Sequence, residues 1–180
     1  MSETMSVSSH LTPDPERRLR LIHSNVYDSL KWTDGKLAAL ALLAVLEMPA
    51  IALTVPGGPF VRAALLALCL TALVGVLACS PFMETLKRVP VLDPRGYKHQ
   101  PGDSLVSESD IALYSQVELV AFLDRYLGGG ITATPYYEDM VGQIVIGARV
   151  ALRKRRLFGA ACALAVLAQL CLAAGLAVTP

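Results

Sequence analysis

The chain has 180 residues, of which 54% are hydrophobic and only 17% charged, and its mean hydropathy is +0.51. This composition excludes an ordinary soluble domain, in which about 25% of residues are charged. The formal net charge of +1 is uninformative by itself, so the arrangement of charged residues along the chain has to indicate partners and location.

The first 36 residues are polar, and we expect no signal peptide among them. Asp14 and Pro15 are typical of a helix start. Apolar residues then recur at spacings of three and four, which predicts one apolar stripe, at Leu19, Ile22, Val26 and Leu30. Residues 1–36 are therefore predicted to form a cytosolic tail and an amphipathic helix.

Three apolar blocks follow, at residues 37–55, 61–79 and 157–178. Each has at least about 18 residues, enough to cross a hydrocarbon layer of about 30 Å as a helix. Helices suit this environment because they satisfy their own backbone polar groups. We predict that residues 157–180 form a transmembrane helix and the C-terminus.

Pro56, Gly57, Gly58 and Pro59 separate the first two blocks. So short a run of turn-forming residues predicts a tight connection between two helices. Residues 37–80 are therefore predicted to form a transmembrane hairpin.

Residues 81–156 contain a proline-rich stretch and then two helix signals. Ser107–Asp110 is a capping-box pattern, predicting one helix that ends at the glycines 128–130. Its predicted apolar stripe is Ile111, Tyr114, Val117, Val120, Leu123 and Leu127. Pro135 opens a last helix, which we expect to run without a break into the third apolar block.

Lysine and arginine cluster before the first block, after the second and before the third, whereas the hairpin turn has only Arg62. The positive-inside rule then places the N-terminus and residues 81–156 in the cytosol. The predicted fold class is all-α: an integral membrane protein with three transmembrane helices, a hairpin plus a C-terminal helix, and a helical cytosolic insert.

Three polar side chains, Glu47, Thr71 and Gln169, are predicted to share one layer within the membrane. Counted from the cytosolic ends of their blocks, they lie about 15, 14 and 18 Å deep. An ionisable group at that depth suggests a function, such as a gate or a pore lining. Alternatively, a protonated Glu47 bonded to Gln169 serves only to hold helices together.

The basic residues Arg149 and Arg153–Arg156 precede the third block and favour contact with anionic lipid, with phosphate binding as the alternative. The histidines are scattered without metal-ligand spacing, and no pattern of catalytic residues is present. We therefore expect neither an enzyme, a metal site nor a cofactor.

Asp34-Gly35-Lys36, directly before the first block, resembles the entry motif of the transmembrane effectors of Pycsar antiphage defence. The similarity continues through the hairpin, Ser80-Pro81, the helical insert, the run from Tyr136 to Ile144 and the run from Arg153 to Phe158, and covers roughly residues 20 to 175. Gly35 and Leu37 depart from the family pattern, and the insert is unusually rich in proline.

The resemblance implies an effector of the bacterial inner membrane. It would sense cyclic UMP or cyclic CMP made by a cognate pyrimidine cyclase and disrupt that membrane during phage infection. Candidate ligand-binding residues, through a cation on the phosphate, are Arg95, Lys98, Arg125 and Arg149.

The lipid bilayer and the cyclic nucleotide are the expected partners, with no nucleic acid. Three helices are too few to enclose a wide aqueous path, so we expect a homo-oligomer if a pore forms. Two alternatives remain, a membrane-damaging toxin gated by another nucleotide or partner, and a non-toxic membrane adaptor subunit.

Overall fold

The structure, a computed structural model, describes residues 15–81, 107–126 and 135–178. Within these ranges the chain forms helices and no strand. The helices are α1 (Pro15–Thr54), α2 (Pro59–Cys79), α3 (Glu108–Ile111), α4 (Gln116–Tyr126) and α5 (Pro135–Val178). The predicted all-α class is confirmed.

Two helices are far longer than a bilayer is thick. α1 has 40 residues and α5 has 44, which corresponds to about 60 and 66 Å at about 1.5 Å per residue. α1 continues through both Gly35 and Pro49, and α5 runs without interruption from Pro135. The unbroken last helix expected from the sequence is therefore confirmed.

The hairpin between α1 and α2 is built by local turn residues. α1 ends at Thr54, and the extended Gly58 precedes Pro59, the first residue of α2. Proline suits that position because the first helical N–H has no intrahelical partner anyway. α2 ends at Cys79, immediately before Ser80 and Pro81. The turn predicted at residues 56–59 is confirmed.

Three helices are long and apolar enough to cross a membrane, within Leu19–Thr54, Pro59–Cys79 and Pro135–Ala177. Their most apolar windows have mean hydropathies of 2.1, 2.3 and 2.2. We call residues 37–54, α2 and residues 157–178 the apolar half of the protein. The remaining described residues, which are 15–36, α3, α4 and 135–156, are called the polar half.

The apolar half packs through small side chains. A Cβ atom added at Gly75 of α2 would lie 2.7 Å from the Cβ of Ala41 on α1, so the two helices approach closely there. Ala64 and Ala168 are 0% exposed, whereas the large Leu53 and Leu66 are 86% and 68% exposed on the outside of the bundle. Close approach of this kind is how helices associate where lipid is as apolar as the side chains.

The polar half has a core of large apolar side chains from α1, α3, α4 and α5, including Val26, Ile111, Leu119 and Ile144. Ser29 of α1 donates a hydrogen bond to Glu108 of α3. Gln116 at the start of α4 donates one of 2.9 Å to the backbone carbonyl of Glu138 on α5. Both short helices are thus attached to the two long ones.

The single helix predicted from residue 107 is wrong, because the chain forms two helices there. A turn at residues 112–115 separates α3 from α4. Ser115 Oγ accepts a bond from the Glu118 N–H, and Glu118 Oε2 accepts one from the Ser115 N–H, which is a reciprocal capping box. As a result Val117, which was predicted to lie on the apolar stripe, is 79% exposed. Leu119, which was not part of that stripe, is 2% exposed.

Candidate functional site

Two polar side chains meet within the apolar half. Gln169 Nε2 of α5 donates a hydrogen bond of 2.9 Å to Glu47 Oε2 of α1. Glu47 is half-buried and Gln169 is exposed on the surface of the bundle. The structure therefore brings two members of the predicted polar layer together.

This pair lies in a groove between α1 and α5, which we call the α1–α5 groove. Its volume is about 480 Å³, and apart from Glu47 and Gln169 every lining side chain is apolar. The apolar lining consists of Leu40, Leu43, Ala44, Leu68, Ala165, Val166, Leu170 and Ala173. A carboxyl and an amide are thus placed in surroundings that otherwise offer no polar group.

Thr71, the third predicted member of the layer, lies apart from the groove lining. Its side chain is 0% exposed, and its hydroxyl donates a hydrogen bond of 2.9 Å to the Ala67 carbonyl one turn earlier. Back-bonding of this type satisfies a hydroxyl within its own helix. Thr71 is consequently a buried packing residue of α2, with its hydroxyl bonded within that helix.

A second polar pair joins α1 and α5 where the two halves meet. The Lys154 ammonium lies 2.9 Å from Asp34 Oδ1 and donates a hydrogen bond of 2.9 Å to Asp34 Oδ2. Lys154 is 1% exposed and Asp34 is 33% exposed. Cys79 Sγ, at the end of α2, donates to the Asp34 backbone carbonyl at 3.8 Å. Residues of α1, α2 and α5 therefore meet around Asp34.

Burying the Lys154 ammonium requires a partner, because an unpaired buried charge costs several kcal/mol. Asp34 supplies the opposite charge 120 positions away in the sequence. The pair ties α1 to α5 about 20 Å along the helices from Glu47 and Gln169. The same two helices thus share an ionic contact at the boundary between the halves and a hydrogen bond within the apolar half.

The importance of Lys154 was missed by reasoning from the basic run, which favoured contact of all its members with lipid or phosphate. The structure divides the run: Arg153 and Lys154 are buried, and Arg155 and Arg156 are exposed. A signal was present in the sequence, since Asp34 and Lys154 each stand three residues before an apolar block. Two helices that enter the membrane in the same direction bring such positions to one level.

Arg149 has a structural role in the polar half. Its Nε donates to the Ala112 carbonyl at 3.3 Å, and one terminal nitrogen donates to the Tyr114 carbonyl at 2.9 Å. The guanidinium thereby fixes the turn between α3 and α4 against α5. Five N–H donors leave a guanidinium with capacity for further acceptors.

The other candidate ligand-binding residues are not brought together in the part of the chain that the structure describes. Arg95 and Lys98 lie outside the described residues, and Arg125 belongs to α4, where its side chain is not described. Within the described ranges, no group of three or more His, Cys, Asp or Glu residues is arranged to hold a metal ion.

Comparison with known proteins identifies one family. A family model described as the Pycsar effector protein domain matches residues 18–179, which includes α2 to α5 and nearly all of α1. No curated protein and no solved structure matches the chain at a significant level. The match extends over both halves of the molecule and includes both polar pairs. The chain therefore belongs to the Pycsar effector family, and it is a multi-pass membrane effector of Pycsar antiphage defence.

Proposed function

We propose that this effector senses a cyclic pyrimidine nucleotide, cyclic UMP or cyclic CMP, and disrupts the bacterial inner membrane when the nucleotide appears. The family implies a cyclic nucleotide signal made by a cyclase. The protein then acts as a ligand-gated membrane component, without an enzymatic step or a cofactor. Growth of the infected cell stops before phage mature.

The observation that carries this proposal is the continuity of α1 and α5. Each is a single helix that contributes to the core of the polar half and then to the membrane bundle. A helix transmits displacement along its axis because its turns are rigidly coupled by hydrogen bonds. A ligand that repacks the polar half would therefore shift the helices that carry Asp34, Lys154, Glu47 and Gln169.

Binding is tested by isothermal titration of the detergent-solubilised protein with cyclic UMP and cyclic CMP, with cyclic AMP as the purine control. We expect saturable heat with one pyrimidine nucleotide and none with cyclic AMP. Absence of heat up to about 1 mM would remove the ligand from the proposal. In that case a toxin gated by another nucleotide or partner becomes the better explanation.

The phosphate contact is tested by changing each candidate cation to glutamine, at Arg95, Lys98, Arg125 and Arg149. Lys31 is an exposed cation of α1 outside this set, so Lys31→Gln is the matched control. We expect at least one candidate variant to lose binding about tenfold or more, since charge-assisted contacts to phosphate contribute strongly. Full affinity in all four variants would contradict the assignment.

Membrane disruption is tested with Glu47 variants in cells that make the nucleotide, using a membrane-potential dye. Glu47→Gln keeps the side-chain volume and a possible bond to Gln169 but cannot ionise. If Glu47 lines a gate, this variant should lose or alter depolarisation at equal insertion, as checked by membrane-fraction blots. Wild-type depolarisation by the glutamine variant would assign Glu47 to helix association alone.

The proposed orientation places the N-terminus in the cytosol and follows from lysine and arginine. In a background without the four native cysteines, Gly57→Cys should react with impermeant maleimide added outside intact cells. Ser104→Cys should react only after the cells are opened. The reverse labelling would overturn the orientation.

A further inference from the structure

The α1–α5 groove opens sideways from the helical bundle toward the lipid. α1 and α5 form its walls, and Leu68 of α2 lies among its lining residues. Gln169 is exposed on this face, and so are Leu43 and Val166, at 53% and 60%. The groove therefore presents a polar pair at mid-depth on a surface that a single copy leaves in contact with acyl chains.

The hydrogen-bonding capacity of this pair is only partly used. A carboxyl offers two oxygens, and an amide offers two N–H donors and a carbonyl oxygen. Glu47 and Gln169 share one hydrogen bond, and the described part of the chain supplies neither with another. Acyl chains offer no donor or acceptor, so the remaining groups stay unsatisfied in a lone copy.

We propose that a second copy of this chain covers the groove and that its own Glu47 and Gln169 complete the hydrogen bonding of the first pair. Carboxyl and amide groups together both donate and accept, so the pair is complementary to itself. Copies with the same orientation in the bilayer also carry the pair at the same depth. A symmetry axis along the membrane normal therefore brings the pairs to face one another.

This inference extends the proposed function, because two copies that meet through the groove would have Glu47, the proposed gate residue, near the symmetry axis between them. It does not depend on nucleotide binding or on membrane damage. Self-association can be measured in isolated membranes with no nucleotide added. A failure of the groove would therefore be distinguishable from a failure of the nucleotide response.

The first experiment is disulfide cross-linking in a background without native cysteines. Leu43→Cys places a thiol in the groove, and Leu73→Cys on α2 is the matched control. Both leucines are 53% exposed, and Leu73 is not among the residues that line the groove. They also lie at the same level, because Ala41 faces Gly75 and the two helices of the hairpin run antiparallel.

Under mild oxidation, Leu43→Cys should give a covalent dimer and Leu73→Cys should remain monomeric. Equal cross-linking of both variants would mean that collisions occur on any face and would overturn the proposal. No dimer from Leu43→Cys would likewise overturn it, leaving lipid or another protein as the occupant of the groove.

The second experiment measures the contribution of the polar pair to association. Energy transfer between labelled copies is followed as they are diluted with lipid in liposomes. The double variant Glu47→Leu with Gln169→Leu should associate about tenfold more weakly, the upper range for polar contacts between membrane helices. Thr71→Val is the control and should leave association unchanged, since that hydroxyl bonds within its own helix. Unchanged association of the double variant would remove the pair from the interface.

Discussion

Large apolar side chains lie inside the polar half of this protein, whereas in the apolar half most of them face outward. Ile144 and Ile111 are 0% and 1% exposed, but Leu66 and Leu53 are 68% and 86% exposed. Water drives large apolar groups into a core, and lipid provides no such force. Two different solvents therefore act on successive parts of the same two helices.

The two halves also differ in the interactions that hold them together. Beside its apolar core, the polar half has hydrogen bonds from Ser29, Gln116 and Arg149. The apolar half depends on close approach at small residues such as Gly75. The Asp34–Lys154 pair lies at the boundary between the half that packs through large apolar side chains and the half that packs through small residues.

The largest expected effect comes from breaking the contact at this boundary. Lys154→Met leaves the Asp34 carboxylate without its cation and should destabilise the protein by about 3–5 kcal/mol. The measurement is unfolding by SDS in mixed micelles, followed through the fluorescence of Trp32, the single tryptophan.

Asp34→Asn combined with Lys154→Met removes both charges and provides the control. This double variant should be more stable than Lys154→Met alone, because no uncompensated charge remains. Strictly additive losses would contradict a direct coupling between the two residues.

The contrast between the two solvents is tested by truncating one side chain in each half. Ile144→Ala removes buried volume from the polar half and should cost about 2–5 kcal/mol. Leu66→Ala removes a similar volume from a lipid-facing position and should change stability by less than about 0.5 kcal/mol. The same SDS titration measures both, and similar losses would show that Leu66 is covered in the membrane.

A smaller effect is expected at the close approach of α1 and α2. The methyl group of Gly75→Ala would lie 2.7 Å from the Ala41 Cβ, so the helices must separate, at a cost of about 1–3 kcal/mol. Gly159→Ala in α5 is the matched control, since its Cβ would meet nothing within 4 Å. That variant should gain up to about 1 kcal/mol from helix propensity alone. Equal stability of the two variants would argue against tight packing at Gly75.

The smallest effect concerns the capping box of α4 in the polar half. Ser115→Ala removes a helix cap and should cost about 1 kcal/mol, visible as faster amide hydrogen exchange in residues 116–120. Hydrogen bonds from the backbone N–H and from the side chain of Ser115 hold the pKa of the Glu118 carboxyl below its usual range. Because this pKa is depressed, the ionised carboxylate stabilises α4 at pH values above the pKa of the unfolded state. The contribution is lost as the pH falls through the pKa of the folded state. If the opening free energy of α4, obtained from hydrogen exchange, did not change with pH over that range, this result would contradict the capping role of Glu118.

Predictions from the sequence were correct where neighbouring residues in the chain decide the structure. They failed where packing between distant residues decides it. Proline and glycine at residues 56–59 defined the hairpin turn, and Pro135 defined the start of α5. The capping box, by contrast, was placed at Ser107, but the observed reciprocal one is at Ser115. Both sites have serine with an acidic residue close behind, and local chemistry alone does not choose between them. Packing of Tyr114 and Leu119 against α5 selects the break.

By itself, the sequence determined the all-α class and the three segments that are long and apolar enough to span a membrane, and it predicted the depth of Glu47, because these follow from hydropathy and helical rise. Only the tertiary structure decided that Lys154 pairs with Asp34 and that Arg149 holds the α3–α4 turn, and it showed the Glu47–Gln169 hydrogen bond that the sequence had offered as one alternative. The physical reason is separation along the chain. These partners lie between 35 and 122 positions apart, and only the packing of α1 and α5 against each other and against the short helices brings them within hydrogen-bonding distance.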